Sequence, residues 1–202
     1  MLEKDNELAV LETTNIVLEK FGYKKRMTRK ECLELYGKKW WEYFEYLLPD
    51  KKQGIWMKLQ RECVEIGLND LEIIARNIRI SDFAKEVLER IGEKHEQILI
   101  SNSNPKSMDM FLKVVGLETY FKGGENVFAV NAHQIDKMRN KKEVLDEFLE
   151  GKMFEQVITI GDSPSDMELG NVRYLYTHPG KKHREAEADY KIHDLRDVLR
   201  EL

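Results

Sequence analysis

The chain has 202 residues, 42% hydrophobic and 35% charged, with only 4 prolines and 12 glycines, proportions that fit a packed, helix-rich globular protein and exclude a disordered or fibrous one. A net charge of -4 with both signs interspersed offers none of the broad positive field that nucleic-acid binding uses, so DNA and RNA are not expected partners. Cys32 and Cys63 are too few for a disulfide framework and lack zinc-site spacing, no apolar run is long enough to span a bilayer, and Met1 to Asp5 lacks the features of a signal peptide; together these point to a cytoplasmic protein with reduced thiols and no membrane partner.

From Asn6 to about Asp70 the apolar residues recur only at helical spacing. Val10, Leu11, Val17, Leu18 and Phe21 form one stripe, Trp40, Phe44, Leu47 and Leu48 a second, and Ile55, Trp56, Leu59, Cys63 and Ile66 a third. Gly22 closes the first pattern, Thr28 and Glu31 have capping-box spacing, and Pro49-Asp50 separates the next pair. The basic run Lys24-Lys25-Arg26 with Arg29-Lys30 reads as a solvated turn. The aromatic cluster of Trp40, Trp41, Tyr43, Phe44 and Tyr46 reads mainly as the core of this small domain, with Trp41 and Tyr43 off the main stripe and available to a substrate.

After Ile80 the pattern changes. Short apolar runs, Gln97 to Ile100, Val127 to Val130, Gln156 to Ile160 and Tyr174 to Tyr176, alternate with helical stripes that begin at Phe83, Met108 and Val144. Strands buried on both faces and separated by helices predict a parallel sheet with right-handed crossovers. The expected architecture is therefore α/β: a Rossmann-like, doubly wound parallel sheet over residues 79–202, joined to an all-helical domain over residues 1–78.

In such sheets ligands bind outside the carboxyl ends of the strands. The run ending at Ile160 leads into Gly161-Asp162-Ser163-Pro164-Ser165-Asp166, where Asp162 and Asp166, one at the strand end and one in the first turn of a helix opened by Pro164, can converge on a small hard cation such as magnesium. As an isolated signal the turn equally suits a helix cap. The run ending at Ile100 leads into Ser101-Asn102-Ser103-Asn104-Pro105, a hydroxyl and free N–H groups before a helix, which suits a phosphate and also suits an ordinary loop. Lys141 opens the helix before the Gln156 strand, where the helix dipole disfavours a cation and calls for a compensating anion; Lys142 and Lys137 are the alternatives. His178 and His183, in the loop after Tyr176, read as surface residues.

Taken in order, a hydroxyl-bearing strand end, a lysine at a helix start and a strand ending in GDxxxD resemble the second, third and fourth motifs of the haloacid dehalogenase superfamily. The closing segment Ala188 to Leu195 resembles the last strand and helix of its phosphatase branches, and the helical first half resembles its cap domain. The resemblance implies a Mg2+-dependent hydrolase that acts on a small phosphorylated molecule through an aspartate nucleophile. In that scheme Ser101 and Asn102 bind the phosphoryl oxygens, Lys141 balances charge, Asp162 ligates Mg2+, and Asp166 completes or orients the metal shell. The family's first motif, a strand ending in DxDGT, has no counterpart in this sequence. The expectation is a chain inactive as it stands, either a piece of a longer active protein or a relative that keeps the phosphate corner for binding or regulation. Lacking that strand, the parallel sheet is expected to carry unpaired edges in its middle.

Overall fold

The periodicity break at Ile80 coincides with a structural boundary. The computed structural model describes residues 1–36, 38–130, 140–179, 181 and 185–200, and the chain divides into one unit of Met1–Lys4 with Ile80–Leu202 and a second of Asp5–Arg79. Residues 1–4 thus belong with the α/β half, although the sequence pattern assigns them to the helical one. Two bonds explain this: Ser81 donates its N–H to the Leu2 carbonyl at 2.9 Å and its hydroxyl to the Met1 carbonyl at 2.7 Å.

After the two-residue strand β1 (Glu3–Lys4), the helical unit runs through α1 (Asn6–Lys20), α2 (Arg29–Glu34), α3 (Trp40–Leu47), α4 (Gln53–Asn69) and α5 (Leu71–Asn77). The predicted capping box forms: Thr28 N–H donates to Glu31 Oε2 at 2.7 Å and Glu31 N–H to Thr28 Oγ1 at 3.2 Å, which fixes where α2 starts. The stripes then close on one another, with Val17, Leu18, Cys32, Phe44, Leu47, Leu59 and Cys63 buried in a single cluster. Tyr43 lies in that cluster at 3% exposure. It sits one helical turn before Leu47 and therefore on the same face, which removes it as a substrate contact. Part of the basic run is also structural: Arg29 donates to the buried Glu7 carboxylate at 2.9 Å.

Both thiols are wholly enclosed by this core, and burial pushes the Cys63 thiol well above the ordinary cysteine range. Reaction with a thiol reagent needs both access and thiolate. Neither cysteine is therefore expected to label in the native protein at pH 8, and both are expected to label at once in denaturant. Stoichiometric labelling of the native chain at the rate of free cysteine would contradict this packing.

The α/β unit continues through β2 (Arg79–Ile80), α6 (Ala84–Gly92), β3 (Leu99–Ser101), α7 (Pro105–Val115), β4 (Val127–Ala129), α8 (Lys141–Leu149), β5 (Ile158–Gly161), β6 (Val172–Tyr176) and β7 (Tyr190–Ile192), ending in a 3-10 helix over Leu195–Arg200. The strands fall where the apolar runs stand, and the pairings β3–β4, β5–β6 and β6–β7 are parallel. Tyr174 and Tyr190, opposite each other across β6 and β7, stack with ring centroids 4.6 Å apart. Phe83 is not part of the α6 stripe: it precedes the helix in the left-handed region at φ 61 with its ring exposed beneath the Arg196 guanidinium. Among the described residues the parallel strands form two separate pieces, β3–β4 and β5–β6–β7.

Candidate active site

β5 ends at Gly161, and the chain then turns sharply through residues 162–170 into β6. Pro164 opens a succession of tight turns here rather than the expected helix: Asp166 N–H bonds the Ser163 carbonyl at 3.0 Å and Leu169 N–H the Asp166 carbonyl at 3.0 Å. Gly170 stops the run. It adopts φ 66, and a Cβ there would lie 2.6 Å from the Val157 carbonyl oxygen and 2.7 Å from Thr159 Oγ1, so only glycine lets the chain pass β5 and enter β6.

Asp166 folds back under the strand end. Its Oδ2 accepts from Ser163 Oγ at 2.6 Å, from Ser163 N–H at 3.1 Å and from Asp162 N–H at 3.2 Å, and its Oδ1 accepts from Lys141 Nζ at 2.5 Å. Lys141 is the first residue of α8, set there by the reciprocal Asn140–Glu143 capping box. The lysine at the helix start thus finds its anion in Asp166. Both side chains are about nine-tenths buried, at 10% and 12% exposure. Lys142 stays exposed, and Lys137 lies outside the described residues.

Asp162 is placed differently. Its side chain is 28% exposed, and its Oδ2 accepts from His178 Nε2 at 2.7 Å and from the Met1 amino group at 3.1 Å. Burial by itself would raise this carboxyl; the neighbouring ammonium and imidazole outweigh it and hold Asp162 far below the usual carboxylate range. Both donors converge on Oδ2, so Oδ1 is the oxygen left for a further ligand. Its donor set fits magnesium as one carboxylate ligand, because Mg2+ keeps several waters and is typically held by one or two carboxylates together with substrate phosphate. Asp166 has both oxygens engaged by protein donors and lies behind Asp162. Among the described residues no group of three or more His, Cys, Asp or Glu side chains converges to cage a metal.

His178 is not legible as a site residue in the sequence. It is 8% exposed rather than on the surface, and its ring packs edge-on against Tyr176 with centroids 4.9 Å apart. Sequence spacing hides the contact, since His178 stands 16 positions after Asp162. Strand adjacency reveals it: Gly161 pairs with Leu175 in the β5–β6 register, so residues just past the two strand ends emerge side by side. His183 lies outside the described residues.

Ser101 ends β3, in the other piece of sheet. Its hydroxyl accepts from Ser103 N–H at 3.2 Å, while Asn102 is exposed beside it. Asn104 caps α7, accepting from Ser107 N–H at 2.9 Å with Pro105 at the first helical position. Among the described residues no hydrogen bond links Ser101 or Asn102 to the acidic turn.

Known proteins share this arrangement of elements. A HAD-superfamily hydrolase of subfamily IA from Geobacter sulfurreducens superposes with TM-score 0.71 at 20% identity, over 98% of this chain and 90% of its own. A haloacid dehalogenase-like hydrolase from Streptococcus pneumoniae gives TM-score 0.68 at 16% identity, covering 99% and 92%, and a HAD family hydrolase from Deinococcus radiodurans, solved with bound phosphate and sodium, gives 0.65 at 15%, covering 98% and 88%. At these identities the likeness is one of fold. No curated protein matches the sequence, and among the described residues no helix is long and apolar enough to cross a membrane. The family model of haloacid dehalogenase-like hydrolases matches residues 4–173, and with its parallel-stranded core and all-helical cap the chain belongs to that family.

Proposed function

We propose that the acidic corner is the magnesium- and phosphate-binding part of a phosphohydrolase site for a small phosphorylated molecule. The observation that carries this reading is the division of labour between the two aspartates: Asp166 is tied to Lys141 at 2.5 Å and to the turn, while Asp162 keeps a partly exposed carboxylate at the strand end. Asp162 would hold the ion. Asp166 orients the turn and neutralises Lys141, whose ammonium in turn limits the negative charge that builds up when a phosphate approaches. Ser101 and Asn102, at the end of β3, would hydrogen-bond phosphoryl oxygens. Bound magnesium supplies Lewis-acid charge to those oxygens. The phosphate seen in the Deinococcus relative makes inorganic phosphate a reasonable probe.

The reaction needs a nucleophile as well. The 202 residues contain no DxDGT sequence, and this favours a second reading of these residues as a binding module that recognises phosphate without turning it over. Both readings require a magnesium-dependent phosphate site, and they part on turnover. By titration calorimetry the chain is expected to bind phosphate with Mg2+ present, and Asp162→Asn is expected to abolish the magnesium dependence, weakening binding about tenfold or more as one charged contact is lost. No phosphate should be released from an aryl phosphate by these 202 residues. Magnesium-dependent release would establish the enzyme reading for the chain as it stands, and phosphate binding indifferent to Mg2+ and to Asp162 would sink both.

A further inference from the structure

The two carboxylate oxygens of Asp162 are not equivalent. Oδ2 meets His178 Nε2 at 2.7 Å, whereas among the described residues no donor reaches Oδ1. A carboxylate only accepts, so Nε2 carries the proton and donates it. Hydrogen bonds of this length to an ionised oxygen are among the stronger ones a side chain makes. Asp166 supplies no second ligand oxygen, because both of its own are taken by Lys141 and by the turn.

The end of β6 fixes His178 in place. Tyr176 pairs with Ile192 in the β6–β7 register, and Thr177 donates both its N–H, at 2.9 Å, and its hydroxyl, at 3.1 Å, to the Ile192 carbonyl. On the following side the His178 carbonyl accepts from Lys181 N–H at 3.3 Å. The ring itself is buried and packed edge-on against Tyr176. A side chain locked by packing at a strand end holds its contact more closely than one on a free loop. Oδ2 is therefore engaged before any ion arrives.

We propose that His178 is a positioning residue that makes Asp162 a one-oxygen ligand and thereby selects Mg2+ over Ca2+. The inference rests on the reading of Asp162 as the magnesium ligand. Magnesium demands a near-ideal octahedron and keeps much of its water, which suits single carboxylate oxygens; calcium gathers about six to eight oxygens in a looser shell and readily takes both from one carboxylate. An ion that chelates Asp162 through both oxygens must first break the His178 bond and leave a buried N–H unpaired. That cost falls on calcium and spares magnesium. The Met1 amino group reaches the same oxygen at 3.1 Å, and a comparison among His178 variants holds its contribution constant.

The test titrates the 202-residue chain with Mg2+ and Ca2+ separately and follows the amide resonances of residues 161–163. His178→Phe keeps an aromatic ring against Tyr176 and removes the donor; it is expected to raise Ca2+ affinity relative to Mg2+ by about tenfold or more, the worth of one hydrogen bond to a charged group. His178→Gln brings an amide donor within reach of the same oxygen and is expected to restore most of the preference. In the unaltered chain the His178 imidazole N–H resonance is expected to stay protected from exchange with Mg2+ bound and to lose that protection with Ca2+, a readout that needs no variant to fold. The inference alone is overturned by an unchanged Ca2+ to Mg2+ affinity ratio in His178→Phe, by His178→Gln behaving like His178→Phe, or by equal protection of the imidazole N–H with both ions. Absence of Mg2+ binding at these residues, or binding that survives Asp162→Asn, overturns it together with the magnesium reading.

Discussion

Asp166→Ala is expected to lower the unfolding free energy by about 3–5 kcal/mol, the usual cost of removing one partner of a buried ion pair. The size follows from what the substitution strands. Lys141, at 10% exposure, is left as an ammonium at the start of α8 with no anion and with the helix dipole opposing it. Three further donors, Asp162 N–H, Ser163 N–H and Ser163 Oγ, lose their common acceptor. Asp166→Asn keeps the shape and one acceptor oxygen and is expected to cost less, about 1–3 kcal/mol. Lys141→Met is milder again, because the remaining carboxylate keeps its three turn donors and methionine fills the space of the lysine stem.

A double-mutant cycle on Lys141→Met and Asp166→Asn separates this account from one in which each residue contributes alone. Direct contact predicts a coupling of about 0.5–3 kcal/mol, with the double variant more stable than the sum of the singles implies. Additivity within about 0.5 kcal/mol would show that the two side chains do not share their energy. Denaturation should be followed by amide exchange in β5 and β6, since Trp40, Trp41 and Trp56, the 3 tryptophans of the chain, all lie in the helical unit and their fluorescence reports on that unit instead.

How far the sequence reveals this fold depends on whether a feature is local. The strands around Leu99, Val127, Ile158 and Tyr174 announce themselves as short apolar runs although most of their residues are only partly buried, and the Thr28–Glu31 box is complete within four positions. Lys141 is one of three candidate lysines in the sequence; its contact with Asp166 sets it apart from the exposed Lys142, while Lys137 lies outside the described residues. His178 escapes notice for the opposite reason: nothing near it in sequence suggests a partner, and the register of β5 on β6 supplies one. Tyr43 is misplaced by an offset of one helical position, and Phe83 by standing just ahead of α6 in the left-handed region instead of within the helix. The two aspartates of GDxxxD look equivalent as letters. Only the hydrogen bonds distinguish the one that is enclosed from the one that faces outward.

Gly161→Ala is expected to be strongly destabilising, through a clash with the Asp166 side chain. A Cβ at this position would lie 2.2 Å from Asp166 Cβ, 2.4 Å from its Cγ and 2.6 Å from its Oδ2. Asp166 is held by four hydrogen bonds and cannot swing aside cheaply, so the added methyl expels it and breaks the Lys141 pair as well. The expected cost is about 3 kcal/mol or more, an overpacking penalty compounded by the lost ion pair. Gly67→Ala provides the contrast. It lies within α4, and a methyl added there would meet no atom inside 4 Å, so the same chemical change is expected to raise stability by about 0.5–1 kcal/mol through helix propensity alone. The mechanism has a sharper signature than size: combining Gly161→Ala with Asp166→Gly removes the overlapping atoms, so the double variant should be no less stable than Asp166→Gly alone. If Gly161→Ala still costs its full amount in that background, the glycine serves something other than the close approach of Asp166 to the strand end.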